Sequence, residues 1–279
     1  MRVHREPDAA TFLAATWELR AADPILTNLP ASIALGVVGG RSYEVEHWWV
    51  VRDDEGTVVG CSVRTAPYRQ VVSPMPAAAA VALGQAVAVA DPDVPGANGP
   101  AAVVDAFYTG LASARQPTVT MRDVVYVLET YAPARGVAGS ARPAVPDDFR
   151  LVADWTRQFH IDAGLPIFDV EASVAPRLAA GTVWLWEVDG SPVAMAGHAD
   201  LVESPAGHVG RIGPVYTPEL LRGNGFGSAV TCAVIDELQP RTSRIMLFAD
   251  AANPASNGVY VRLGFRAVTE VVETALASD

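Results

Sequence analysis

The sequence predicts a mixed α/β (α+β) protein of two domains, each a mixed, mostly antiparallel central sheet flanked by helices. Three observations predict it. Residues 132–146 are rich in Pro, Gly and small side chains and have no apolar periodicity, so they read as a linker. After them the apolar spacing gives the element order ααβββαβαβ. Before them a similar order recurs, a pseudo-repeat of elements and not of residues. The expected organisation is a domain over 1–135, a linker over 136–146 and a second domain over 147–279.

In the first half, apolar residues at helical spacing predict helices over 8–22 and about 25–35. β-Branched and aromatic runs predict strands over 43–52, 57–67 and 69–73, with Asp54-Glu55-Gly56 as the turn between the first two. Helices over 76–90 and 101–113 follow, separated by an irregular strand or loop at 93–99, and a strand over 118–130 closes the half.

In the second half, Asp147-Asp148 is expected to cap a helix reaching about Ala163, with Phe149, Val152, Trp155 and Phe159 on one face. A second helix covers about 170–180. Thr182 to Val188 and Pro192 to Ala199 read as a hairpin, because the two-residue Asp189-Gly190 turn supplies the positive φ angles that a tight antiparallel reversal needs. A third strand runs from His208 to Thr217. A helix at about 223–239, a strand at 244–249, a short helix near 254–263 and a strand at 265–275 complete the order.

Composition removes several function classes. The chain has no lysine, so all 20 of its Lys+Arg residues are arginine. A Walker-type phosphate loop and Schiff-base catalysis both need that amine. A net charge of −11 with no basic stripe argues against nucleic acid. Cys61 and Cys232 lie far apart and lack metal-ligand spacing, so they read as buried thiols and no metal is expected. No run of about 18 apolar residues suggests a membrane span. The start, Met1 to Pro7, lacks the apolar core of a signal peptide, and the expected location is cytoplasmic.

The most informative segment runs from Gly213 to Ser228. A strand enters the glycine-rich turn Arg222-Gly223-Asn224-Gly225-Phe226-Gly227-Ser228, and the turn opens a helix whose Phe226, Val230, Val234 and Leu238 share one face. Free N–H groups of a helix's first turn, with its dipole, suit a diphosphate, and glycine lets phosphate oxygens approach the backbone. Arg222 can add a cationic contact. Two rivals remain open on the residues alone. A dinucleotide fingerprint needs Gly-x-Gly-x-x-Gly, which the spacing here does not give. A glycine-rich helix entry with no ligand fits equally well.

A second motif lies downstream: Asn253-Pro254-Ala255-Ser256-Asn257-Gly258-Val259-Tyr260-Val261-Arg262-Leu263-Gly264-Phe265. Asn253 before Pro254 is a good N-cap, Gly264 a good C-terminal glycine, and Tyr260 could simply pack inward. Together the two motifs resemble the GNAT superfamily of acyl-CoA-dependent N-acyltransferases. Its patterns are Arg/Gln-x-x-Gly-x-Gly/Ala and, after the fifth strand, Asn-x-x-Ser/Ala-x-x-x-Tyr/Phe-x-x-x-Gly-Phe. Both are met in full and in order, and the resemblance covers about 135 C-terminal residues.

That resemblance implies acetyl-CoA as cosubstrate, bound by Arg222 to Ser228 and by Asn253. Backbone N–H groups of Val215, Tyr216 and Thr217 would serve the pantetheine arm and stabilise an oxyanion. Pro214 fits a strand that leaves its neighbour. Tyr260 would be the general acid for the departing thiolate. The acceptor would be a primary amine on a small molecule or peptide, with neither nucleic acid nor membrane as partner and room for a homodimer. Glu187, His198, Asp200 and Glu203 flank the expected cleft, but none is singled out as the base.

The first half has no counterpart of the turn. After its third strand the chain reads Val71-Val72-Ser73-Pro74-Met75-Pro76-Ala77, without glycine or arginine, so a degenerate GNAT-like copy that does not bind CoA is expected. Trp48 and Trp49 would pack there or wall the acceptor site. Against the enzymatic reading stand a non-catalytic acyl-CoA-binding or regulatory module and an interaction protein with no ligand.

Overall fold

The computed structural model describes residues 1–165, 167 and 169–277. The chain divides into two compact units. The first takes Met1–Val125, Val202–Val209 and the chain from Thr269 onward; the second takes Tyr126–Leu201 and Gly210–Val268. The division therefore differs from the expected one: residues 126–135 belong with the second unit, and two pieces of the C-terminal half belong with the first.

The first unit opens with a strand absent from the expected order, β1 (Arg2–Glu6), an edge strand with little apolar content pairing antiparallel with β2 (Glu46–Arg52). Between them, the expected helix over 8–22 is two helices, α1 (Ala9–Ala15) and α2 (Trp17–Ala22). Asp8 starts α1 through a capping box in which its Oδ1 accepts the Thr11 N–H at 2.8 Å. The break falls at Thr16, whose hydroxyl shares the Phe12 carbonyl, at 2.8 Å, with its own backbone N–H at 3.0 Å. Then come α3 (Asn28–Val38), β3 (Val58–Thr65), β4 (Gln70–Val72), α4 (Ala77–Ala90), β5 (Gly96–Gly99), α5 (Ala101–Leu111) and β6 (Pro117–Leu128).

Strand β2 is buried on both faces, and its alternation sorts the two tryptophans. Trp48, 2% exposed, joins Phe12, Ala34, Val50 and Val63 on the α1/α3 side. Trp49, 5% exposed, joins Val51, Val72, Leu83 and Phe107 on the α4/α5 side. Both serve packing.

The second unit starts its sheet inside the expected linker. β7 (Ser140–Pro143) pairs antiparallel with β8 (Val183–Val188), so 136–146 is not a free connector. Arg142 explains the docking: Nη1 and Nη2 reach the two carboxylate oxygens of Asp148 at 2.6 and 2.9 Å, and Nε reaches Glu187 at 2.7 Å. The Trp186 indole N–H adds a bond to the Ala138 carbonyl at 2.8 Å. Asp148 therefore pairs with Arg142 and accepts the Val145 N–H, and does not cap α6 (Phe149–Asp162) with its side chain.

After α6 come α7 (Val170–Ala179), β8, β9 (Ser191–His198), β10 (Val202–Ser204, a strand not expected), β11 (Gly207–Tyr216), α8 (Phe226–Leu238), β12 (Arg244–Asp250), α9 (Pro254–Leu263) and β13 (Phe265–Leu276). The Asp189-Gly190 turn has φ of 49° and 75°, as a tight hairpin turn requires. In this unit the sheet runs from the end of β6 (Tyr126 to Leu128) through β12, β11, β9 and β8 to β7. Val152, Leu178, Leu185 and Met195 fill the side under α6 and α7, and α8 packs on β8 and β9 from the other. Among the described residues no helix is long and apolar enough to cross a membrane.

Candidate active site

The site is built where β11 hands over to α8. Ile212 faces His198 on β9, whereas Val215 faces Ala196, so β11 carries one extra residue at Gly213-Pro214. A bulge is where a sheet tolerates proline. The Gly213 carbonyl accepts an N–H from Arg177 at 2.8 Å. Beyond the bulge, Val215 and Tyr216 return to register with β9, opposite Ala196 and Met195. Strand geometry aims every second amide of this stretch away from β9, toward the β12 side. Tyr216 is buried against Trp155 with ring centroids 6.0 Å apart, and burial, then the Asp162 charge, holds its hydroxyl above the usual tyrosine range.

After Thr217 and Pro218, a 3-10 turn at Glu219–Leu221 leads into the glycine turn. Arg222, Gly223, Asn224 and Gly225 are exposed. Gly223 and Gly225 have φ of 84° and 81°, in the left-handed region. A Cβ at Gly223 would meet nothing within 4 Å, so that glycine is demanded by backbone conformation alone. One at Gly225 would lie 3.1 Å from Val137 Cγ2. The first turn-to-turn bond of α8 is the Ala229 N–H on the Gly225 carbonyl at 3.0 Å. The N–H groups of Phe226, Gly227 and Ser228 precede it, at the positive end of the helix. Asn224 braces the turn by donating to the Leu221 carbonyl at 3.0 Å.

Arg222 has company that the sequence did not reveal. Its Nε donates to the Thr217 carbonyl at 3.0 Å, and its guanidinium forms an ion pair with Asp162 at the end of α6. Both side chains are close to half exposed, so an anion at the turn would compete with a water-screened carboxylate.

Asn253 is the N-cap of α9, its Oδ1 accepting the Ser256 N–H at 3.1 Å ahead of Pro254. Tyr260, on the same helix, is 8% exposed. Its ring lies 6.2 Å from that of Tyr126 and 6.0 Å from that of Phe265, and burial pushes its hydroxyl up to about 12. Gly264 ends the helix at φ 97°, where a Cβ would fall 1.7 Å from the Thr130 carbonyl.

The four acids and bases flanking the expected cleft are accounted for otherwise or lie apart. Glu187 is bound to Arg142. His198 is buried, with Nδ1 2.7 Å from the Ala199 carbonyl and Nε2 3.2 Å from Glu237, in ion-pair range but without a hydrogen-bond angle. Glu203 lies in the first unit, its carbonyl held by Arg20 at 2.7 Å, and Asp200 is exposed on the connection before it.

In the first unit the equivalent junction is shut. β4 and β5 remain paired, Gln70 opposite Ala97 and Val71 opposite Asn98. They run so close that a Cβ at Gly99 would sit 2.5 Å from the Val72 carbonyl. Helix α4 begins behind Pro76 with no side-chain cap.

Comparison with known proteins agrees with this geometry. Residues 195–273 match the family described as FR47-like protein, a span from β9 into β13. A GNAT-family acetyltransferase from Colwellia psychrerythraea superposes over 99% of this chain and 100% of its own, with TM-score 0.63 at 11% identity. A tandem GNAT protein from the clavulanic acid biosynthesis pathway superposes over 100% of both chains, with TM-score 0.59 at 15% identity. The chain has the tandem GNAT fold. Mycothiol acetyltransferase from Renibacterium salmoninarum is 40% identical over 91 residues, which is 31% of this chain and 26% of that relative. Among the described residues no group of three or more His, Cys, Asp or Glu side chains could hold a metal ion.

Proposed function

We propose that the protein is an N-acyltransferase that moves an acetyl group from acetyl-CoA to a primary amine of a small molecule or peptide. The observation that carries this reading is the exposed glycine turn at the mouth of α8, where two left-handed glycines leave the backbone bare in front of unspent helix N–H groups. Side chains there would fill the space a diphosphate needs, and at Gly223 that space is open.

In this reading the amides of Gly225 to Ser228 hold the diphosphate, Gly223 and Asn224 shape the turn, and Arg222 exchanges Asp162 for phosphate oxygen. The outward amides of the Val215 to Thr217 stretch line up the pantetheine arm and donate to the thioester oxygen as negative charge develops on it. Asn253 keeps its capping oxygen and offers its amide N–H₂ to the arm. The amine nitrogen bonds to the acetyl carbon, the carbon–sulfur bond breaks, and Tyr260 gives its hydroxyl proton to the sulfur. Like any tyrosine hydroxyl, that of Tyr260 is protonated at neutral pH, and burial reinforces that state. The ammonium proton leaves to water or to a base outside the residues named above, and the tyrosinate takes a proton back from water before the next turnover. The reading places the enzyme in the cytoplasm, with no nucleic-acid or membrane partner.

The test is thiol release from acetyl-CoA across a panel of primary amines, beside isothermal titration with CoA. Saturable CoA binding with amine-dependent release supports the reading. Binding without release across the panel would leave an acyl-CoA-binding module, and absence of heat would remove the ligand altogether.

A further inference from the structure

We propose that Tyr126 and Asn257 act as a positioning pair that fixes the ring of Tyr260, and with it the direction of its hydroxyl. This rests on reading Tyr260 as the proton donor. Tyr126, near the end of β6, places its ring beside that of Tyr260 and donates its own hydroxyl to Asn257 Oδ1 at 3.0 Å. Asn257 sits three residues before Tyr260, one turn back along α9. Its amide spends both hydrogens, on the Asp250 carbonyl at 2.9 Å and the Asn253 carbonyl at 2.8 Å.

One side chain thus ties three pieces of backbone together around the proposed acid: the end of β6, the end of β12 and the cap of α9. The directions of the bonds are fixed by chemistry. Both carbonyls can only accept, so the Asn257 NH₂ must face them and Oδ1 must face Tyr126. Tyr126 cannot swing its ring axis to another side-chain rotamer without breaking that bond. The bond therefore holds in place one of the two rings that pack on Tyr260, the other being Phe265. An acid that must meet a departing sulfur along one direction loses rate when its ring can tilt.

The hydrogen bonds named for the pair run to Asp250 and Asn253 and not to the glycine turn, so the larger effect is expected on turnover and the smaller on CoA affinity. Tyr126→Phe deletes only the oxygen and keeps the ring. The expected result is a fall in kcat of about threefold to tenfold, the scale of one hydrogen bond, with KM for acetyl-CoA within about twofold. The assay uses the best amine of the panel. A second measurement needs no acceptor: the protein labelled with fluorotyrosine, its Tyr260 resonance assigned by its loss in Tyr260→Phe. In the parent that resonance should be a single line that does not titrate with the exposed tyrosines. In Tyr126→Phe it should broaden or split and begin to titrate at lower pH, as water reaches the hydroxyl.

Unchanged kcat together with an unchanged resonance overturns the proposal. So does a loss of kcat with an unchanged resonance, which would mean that Tyr126 acts elsewhere. If Tyr260→Phe itself retains full activity, the acid reading fails and the resonance alone decides whether the clamp exists.

Discussion

A methyl group placed on the glycine turn tests the diphosphate cradle directly, and the two glycines there let the backbone cost be separated from the ligand cost. Gly223→Ala and Gly225→Ala each put an L-residue at φ above 80°. Left-handed backbone costs a non-glycine residue about 1–2 kcal/mol. At Gly223 nothing adds to this, because no atom lies within 4 Å of the new Cβ. At Gly225 the methyl also meets Val137 Cγ2 at 3.1 Å, a gap that closes if the valine yields by a few tenths of an ångström. Each variant should therefore fold, melting roughly 2–8 °C below the parent. Val137→Ala in the Gly225→Ala background should recover the part of that loss due to the valine. Binding behaves differently. Losing one or two N–H donors to an anionic oxygen costs about 1.5–3 kcal/mol, or about tenfold to a hundredfold in Kd. The Val137→Ala relief should not restore it, since the methyl still stands between backbone and phosphate. Calorimetry with CoA and a melting curve for each variant provide both numbers. CoA bound by both alanine variants as tightly as by the parent would refute the cradle, whatever the melting temperatures.

Four further outcomes follow from the structure. Arg222→Glu should raise the Kd for CoA about tenfold and more at low salt, while leaving stability within about 0.5 kcal/mol, since the ion pair with Asp162 is largely solvated; titration at two salt concentrations checks it. Tyr260→Phe should lower kcat about a hundredfold with CoA affinity unchanged. The same residue also predicts a pH effect on stability. Its folded pKa of about 12 stands above an unfolded value of about 10, so its burial contributes fully below pH 10 and is lost as pH rises toward 12, on the order of 3 kcal/mol in all; the alkaline fall in melting temperature should be shallower in Tyr260→Phe. Both cysteines are buried and burial pushes the Cys61 thiol up to about 12, so the native protein should take up no Ellman's reagent within minutes at pH 8, whereas the denatured chain takes up two equivalents.

What could be read from the sequence, and what could not, divides along local and non-local physics. The Asp189-Gly190 hairpin, the Asn253-Pro254 start of α9 and the two glycines before α8 each follow from backbone preferences of the residues themselves, and each lies where expected. The strands β1, β7 and β10 were not legible, because a short polar edge strand has no apolar stripe and exists only through its partner: Arg142 finds Glu187 and Asp148 after folding, not before. The break at Thr16 needed knowledge of one hydroxyl's choice of carbonyl. The attachment of the last strand to the first unit depends on pairing between residues far apart in sequence, such as Thr274 with Ala97, and that of residues 202–209 on contacts such as the Arg20 bond to the Glu203 carbonyl. At the site, the glycines and Tyr260 were visible as motif, but Asp162 facing Arg222 and Tyr126 facing Asn257 carry no sequence signal, since nothing local links residues 60 or 131 apart.

The two units also differ in backbone at the junction for which a ligand is proposed. In both, a strand ends, the chain turns and a helix begins. In the first unit the turn contains Pro74 and Pro76, the helix opens on four alanines, and β4 stays paired with β5 closely enough that Gly99 admits no side chain. There the amides that could face an anion lie behind Cβ atoms. In the second unit an extra residue breaks the register of β11, and two glycines replace the prolines, so the first amides of α8 stand in the open. The difference is one of backbone access and not of charge, because Arg222 is already matched by Asp162. Grafting arginine into the first unit's turn should therefore create no CoA site, whereas removing either glycine from the second should weaken the one proposed there.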